Sequence, residues 1–212
     1  MSSIKLKRIG AYLIDLFVIS VLVFLVSQLN FINPNKDKYL QTLNAYNEYY
    51  ESHFGNVTTN VSVEEVINEE YAGYMYDLQY YAIGNTLAET IVIILYFTLF
   101  PIFNNDQTIG KRLFKIKVVH KDGRKKVSFL QHFGRSSVLP ITANVILYNS
   151  ITSVLNVGAL FIFKDINYLY ANLVITYIIN FICYIDLLVM FVRKDHLSLH
   201  DILLKTKVVE SC

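Results

Sequence analysis

Charge is scarce in this chain of 212 residues: 17% are Asp, Glu, Lys or Arg, against 54% hydrophobic. Soluble domains carry about 25% charged and about 45–50% apolar residues. Here the apolar residues come in long blocks and the mean hydropathy is +0.39. An ordinary soluble domain is excluded, and the class is an integral membrane protein. Cysteine is equally sparse: Cys183 lies inside a hydrophobic block and Cys212 is the last residue. That placement disfavours a disulfide and excludes a disulfide-stapled secreted fold. There is no tryptophan. No HExxH, paired CxxC, P-loop or Gly-rich nucleotide motif occurs, and the GxGD element of intramembrane aspartyl proteases is missing. The reading is therefore of a non-enzyme without cofactor or metal, and nothing points to nucleic-acid binding.

The first apolar block follows Lys5, Lys7 and Arg8, as a signal peptide would. Its run is too long for one, Asp15 interrupts it, and no small-x-small cleavage site follows. It reads as a retained anchor. A bilayer core of about 30 Å needs about 20 apolar residues per helix. Four segments answer that description: Ile9 to Phe31, Leu87 to Phe103, Val138 to Phe163 and Tyr168 to Val192. The third holds Thr142, Asn144, Asn149, Ser150, Thr152, Ser153 and Asn156, so it is expected inside the bundle, where polar groups find partners. Sixteen of the nineteen Lys and Arg residues fall in the N-terminus, the 104–137 loop and the 193–212 tail. By the positive-inside rule both termini are cytoplasmic.

The outer loop, 32–86, has two basic against eight acidic residues and nine of the sixteen tyrosines. Ser62 and Glu65 stand at capping-box spacing, and Val66, Ile67, Tyr74, Leu78 and Tyr81 continue at helical spacing. A helix running towards the second span is expected, broken near Gly84 and Asn85, with a partner helix over 37–53. Asn56 and Asn60 lie in N-x-[ST] sequons, read as chance matches because the Asn-, Ile-, Lys- and Tyr-rich usage points to a bacterial genome.

Two stretches echo each other. "QTIGKRLFKIKVVH" (107–120) and "LSLHDILLKTKVVE" (197–210) align without gaps at an offset of 90, sharing Leu, Lys, Lys, Val and Val. Each has a Thr or Ser suited to cap a short helix, then a strand ending in Val-Val. The two strands are expected to pair in a small cytoplasmic sheet, with Asp122-Gly123 turning the first into a hairpin strand at 127–129. The two halves of the chain would then be parallel repeats about an axis along the membrane normal.

Arg8, Tyr12 and Asp15 fall at i, i+4 and i+7, one face of the first helix. This stripe ends about 10 Å in, seven residues at 1.5 Å rise. Asp186 lies at similar depth from the same side, and Glu89 near the outer start of the second span. Three readings stay open. The acids are cation or proton ligands; or Asp15 pairs with a cation, Arg8, Arg112 or Arg135, and positions helices; or a carboxylate without a partner is protonated. In "HLSLHD" (196–201), His196 and His200 share a face, but a third metal ligand is not specified. Ser198-x-x-Asp201 reads as a capping box instead.

"RIGAYLID" (8–15), "TIGKRLFKIKVV" (108–119), "QHFGR" (131–135) and "HLSLHDILLKTKVV" (196–209) together resemble the RDD family, small polytopic membrane proteins named for one arginine and two aspartates. By motif these are Arg8, Asp15 and Asp201, the last just after His200. The resemblance implies transport, as suggested for some members, or an accessory role in a membrane complex, as for others. The expectation is thus one RDD-like domain, all-α with a small cytoplasmic β element. It is read as a small transporter of cations or protons or, alternatively, a non-catalytic partner docking through its outer loop. Four helices are few for alternating access, so a homo-oligomer is expected.

Overall fold

In chain order the helices are α1 (Ser3–Ser27), α2 (Lys36–Phe54), α3 (Glu69–Tyr81), α4 (Ile83–Phe103), α5 (Ile109–Leu113), α6 (Phe129–Ser137), α7 (Ser150–Ile162), α8 (Asp165–Val192) and α9 (Leu199–Leu203). The strands are β1 (Ile116–His120), β2 (Ile141–Ala143), β3 (Ile146–Tyr148) and β4 (Thr206–Glu210). This is a computed structural model, describing residues 3–54, 68–123, 126–137, 141–143, 146–148 and 150–211.

Three described helices, α1, α4 and α8, are long and apolar enough to cross a membrane. Their surfaces are inverted relative to a soluble protein. Phe17, Tyr177 and Phe103 are 69, 71 and 86% exposed, while Asp15 and Asp186 are buried. Apolar side chains facing outward and acids facing inward fit a hydrocarbon solvent, where unpaired polar groups are costly. Within the bundle, Ile19 of α1 packs with Ile93, Tyr96 and Phe97 of α4. A second cluster joins Ala159 and Leu160 of α7 to Tyr168 of α8, with Tyr76 of α3 and Ile83 of α4 against it.

The third expected span takes a different form. Its described part is a short antiparallel pair, β2 with β3, followed by the 13-residue α7. Thirteen residues rise about 20 Å, short of the hydrocarbon core. β2 takes Thr142 into a strand.

The outer loop carries the antiparallel pair α2 and α3, with α3 also packed on α8. Asn68 caps α3, accepting from the Tyr71 N–H at 2.8 Å. The helix break falls at Ala82 rather than at Gly84. Gly84 lies within α4, where a Cβ would collide with the carbonyl oxygen of Ile32, so its role is close approach. The Ser62–Glu65 capping box, Val66, Ile67 and both sequons lie outside the described residues.

β1 and β4 pair antiparallel, from Ile116 opposite Glu210 to His120 opposite Thr206. The pairing partner at 127–129 does not form: Phe129 already begins α6, and β1 finds its described neighbour in β4 alone. The 90-residue echo is structural. Val118 sits opposite its own counterpart, Val208. Beyond the ladder, the Lys121 N–H donates to the Lys205 carbonyl and the Ser211 N–H to the Lys115 carbonyl, each at 2.8 Å. Asp106 and His196 have φ of 60° and 59°, and Lys115 and Lys205 both 53°. The N-caps Thr108 and Ser198 agree to within a degree in φ and ψ. Residues 106–121 and 196–211 are thus related by a local two-fold axis near the Val118–Val208 pair.

Lys7 bridges to Glu210 at 2.5 Å on this surface, both side chains well exposed. Exposed pairs contribute little, so Lys7→Ala is expected to change stability by under about 1 kcal/mol in a circular-dichroism melt.

Candidate functional site

Two short capped helices, α5 and α9, are each held at the N-terminus by an aspartate from a long helix. Thr108 caps α5, its hydroxyl accepting from the Lys111 N–H at 3.3 Å and donating to Asp15 Oδ2 at 2.6 Å. Asp15 Oδ1 accepts from the Gly110 N–H at 2.8 Å and the Tyr96 hydroxyl at 2.5 Å. Gly110 lies so close to α1 that a Cβ would overlap the Ala11 carbonyl. Tyr96 arrives through a π-helical turn, Leu95–Leu99, which keeps three successive residues, Tyr96, Phe97 and Thr98, buried. On the other side, Asp186 Oδ1 accepts from the His200 N–H at 2.7 Å, and Oδ2 pairs with His200 Nδ1 at 2.8 Å. Gly110 and His200 are the same position of the repeat. The supporting helices differ, however: α8 leads directly into α9, whereas α1 lies far upstream of α5.

Asp201 is the most enclosed acid, with no solvent exposure. Oδ2 accepts from Arg8 Nη2 at 2.9 Å and from Ser198 in a full capping box; Oδ1 takes Arg135 Nη1 and the Thr206 hydroxyl. Arg8 Nη1 also donates to the His196 carbonyl at 2.8 Å. One carboxylate therefore joins α1, α6, α9 and β4. Burial by itself would raise the Asp201 pKa, but Arg135, the His200 ring and Arg8 outweigh it and hold it well below the usual carboxylate range.

Burial first, then Arg135, lowers the His200 pKa below its ordinary value, against the raising effect of Asp186 and Asp201. Neutral His200 in the fold becomes protonated on unfolding, so stability is lost as pH falls below about 6.5. Asp201 adds a further loss below about pH 4, as its depressed pKa is approached. Melting temperatures are expected to fall between pH 7 and pH 5, and His200→Gln to flatten that part of the curve.

Of the three readings of Asp15, the ion pair is not formed among the described residues. Arg8 turns to Asp201, and the hydrogen-bond partners of Asp15 are neutral; three such donors at a helix N-terminus satisfy a carboxylate as a cation would. Arg112 is exposed and near Asn104, at 3.4 Å, and Glu89 is half-buried on α4; neither joins the cluster. Arg8, Tyr12, Asp15, Arg135, Asp186 and His200 line one cavity of about 140 Å³, and Asp201 pairs with the two lining arginines. Lys111, His132, Ser136 and Ser198 complete the polar lining, with Phe97 and Met190 among its apolar residues. Sequence reasoning missed Tyr96, whose only advance sign is its place in an apolar run, and Lys111, one of many basic residues in its loop.

A model of the RDD family matches residues 5–205. The chain belongs to the RDD family. No curated protein and no solved structure matches it. In this RDD-family protein the arginine and second aspartate of the signature, Arg8 and Asp201, are direct partners, and the first aspartate, Asp15, holds a different helix on the same cavity.

Proposed function

We propose that this RDD-family protein is a small transporter or ion-exchange component whose solute site is the cavity between α1, α5, α6 and α8. The observation that carries the reading is that lining: Arg8, Lys111, Arg135, Asp15 and Asp186 gather around a space open enough for a small solute. Charged groups inside a membrane domain commonly mark an ion or solute path. The cluster of Ile19, Ile93 and Phe97 lies beyond Asp15 along the bundle and seals that side in this conformation. Under the positive-inside reading the cavity faces the cytoplasm of a bacterial cell membrane, both termini are cytoplasmic, and α7 with the chain before it makes the fourth crossing. The protein is not an enzyme, and a homo-oligomer supplies the further helices that alternating access needs.

The test is flux in proteoliposomes, screened with sodium, potassium, protons, chloride and phosphate. Uptake above empty liposomes for one of these supports the reading; none for any overturns it. A second reading draws on the α2–α3 pair, where Tyr46 meets Tyr71 and Tyr74 with ring centroids near 6 Å and Tyr50 and Tyr80 stay half exposed. Such an aromatic surface fits a membrane-protein partner. That accessory role predicts no flux, and loss of a co-purifying protein when residues 36–82 are deleted.

A further inference from the structure

We infer that the ligand of this cavity is a small free anion, held by Lys111, rather than a cation or a proton bound by the signature aspartates. The inference rests on the cavity being a ligand site, as proposed above, and adds the sign and size of the ligand.

Every carboxylate oxygen around the cavity already accepts. Asp15 Oδ1 takes Tyr96 and Gly110, and Oδ2 takes Thr108. Both oxygens of Asp186 take His200, through its N–H and its ring. Those of Asp201 take Arg8 with Ser198, and Arg135 with Thr206. A metal cation would compete at these oxygens with the donors that fix α5 and α9 in place. The donors are in the opposite position. The half-buried Lys111 lines the cavity, yet its ammonium has no hydrogen bond or ion pair among the described residues. The buried hydroxyl of Tyr12, on the same cavity, also lacks a hydrogen-bond partner among the described residues. Arg8 and Arg135 share the single Asp201 carboxylate, and Asp15 and Asp186 on the same lining bring the charged set to balance, so it is the unpartnered donors that call for an acceptor.

The volume sets the size. At about 140 Å³ the cavity is close to the roughly 150 Å³ of a protein cavity that admits benzene. Phosphate, sulfate or a short carboxylate fits, and a lipid or nucleotide does not. Burial, then Arg135 and Arg8, bring the Lys111 pKa down to about 8 against the raising effect of Asp15 and Asp201, and His132 also faces it. Anion binding should therefore weaken as pH rises from 7 to 9, through loss of the ammonium proton.

The experiment is isothermal titration of the full chain in nonionic detergent with sodium phosphate and sodium acetate, at matched ionic strength. Sodium gluconate, too large for the cavity, is the control. Saturable binding of phosphate or acetate is expected in the wild type and in Lys111→Arg. Lys111→Gln should bind at least about tenfold more weakly, as loss of one charge-assisted contact implies, while its circular-dichroism melt stays that of the wild type. The inference is overturned if phosphate and acetate bind no better than gluconate, or if binding survives Lys111→Gln. Competition by phosphatidylglycerol also overturns it, since the source would then be a lipid headgroup. Anion binding without flux leaves this inference standing and removes the transport reading. Cation flux without anion binding does the reverse.

Discussion

Asp201→Asn is expected to be among the most damaging single substitutions in the chain, costing about 3–5 kcal/mol, the range for breaking a buried ion pair from one side. The Asp201 carboxylate is shared by Arg8 and Arg135, whose side chains are only 13 and 8% exposed. Removing its charge leaves two guanidinium groups in a confined space with one neutral amide between them. Asparagine keeps the shape, so the loss reads out charge rather than packing. The capping box also weakens, because the Ser198 N–H and hydroxyl lose a charged acceptor. Asp186→Asn provides the contrast. Its partner His200 is kept neutral by burial, so the loss is that of hydrogen bonds to a charged acceptor, about 1.5–3 kcal/mol. Circular-dichroism melts of the three proteins in one detergent check the order: wild type, Asp186→Asn, Asp201→Asn. Equal melts for Asp201→Asn and wild type would remove Asp201 from its central place.

Gly110→Ala is the second large effect, and it works through space rather than charge. The added methyl would overlap the Ala11 carbonyl oxygen and lie 2.8 Å from Asp15 Oδ1. Both neighbours are fixed, one by the backbone of α1 and the other by three hydrogen bonds, so α5 has to move away from α1. Overpacking of this kind costs about 1–3 kcal/mol, and the displaced Gly110 N–H lengthens its bond to Asp15. The repeat supplies the control: His200 occupies the equivalent position on α9, where a large side chain is accommodated and used. His200→Ala should therefore leave the α9 backbone in place, whereas Gly110→Ala should lower the melting temperature and loosen α5, visible as faster amide exchange at 109–113.

Much of this arrangement is legible in the residues, and the parts that are not have identifiable causes. Helices α1, α4 and α8 follow from long apolar runs, since hydrocarbon leaves the backbone little alternative. The β1–β4 pair follows from the echo of two Lys-x-Lys-Val-Val strands, which an internal comparison exposes without any structure. Thr108 and Ser198 announce themselves as caps by residue type and spacing. The described part of the third expected span departs from one long helix, because composition over the stretch averages a polar beginning with an apolar end. The hairpin at 127–129 is misread because the turn residues Asp122-Gly123 do not determine the conformation of the next segment, and β4, far along the chain, takes the strand's open edge. At Asp15 the carboxylate's depth is legible, and its neighbours on the same helix mislead. Its true partners, Tyr96 and Gly110, come from other segments, brought near by a π-turn and a glycine contact that leave no periodic trace. Lys111 is hidden differently: it is one of nine basic residues in its loop, and only the fold separates it from the rest.

The signature groups and the ligand group thus have separate tasks. Arg8, Asp15 and Asp201 hold the short helices and β-pair to the long helices, and on the proposal made above the cavity binds its anion through Lys111. Anion flux in proteoliposomes of wild type and Lys111→Gln, each first shown to melt alike, addresses that division most directly. Uptake of phosphate or acetate by the wild type is expected, reduced by about tenfold or more in Lys111→Gln, in line with one lost charge-assisted contact. Undiminished uptake by Lys111→Gln, or wild-type uptake of sodium or protons with no anion moving, would contradict it.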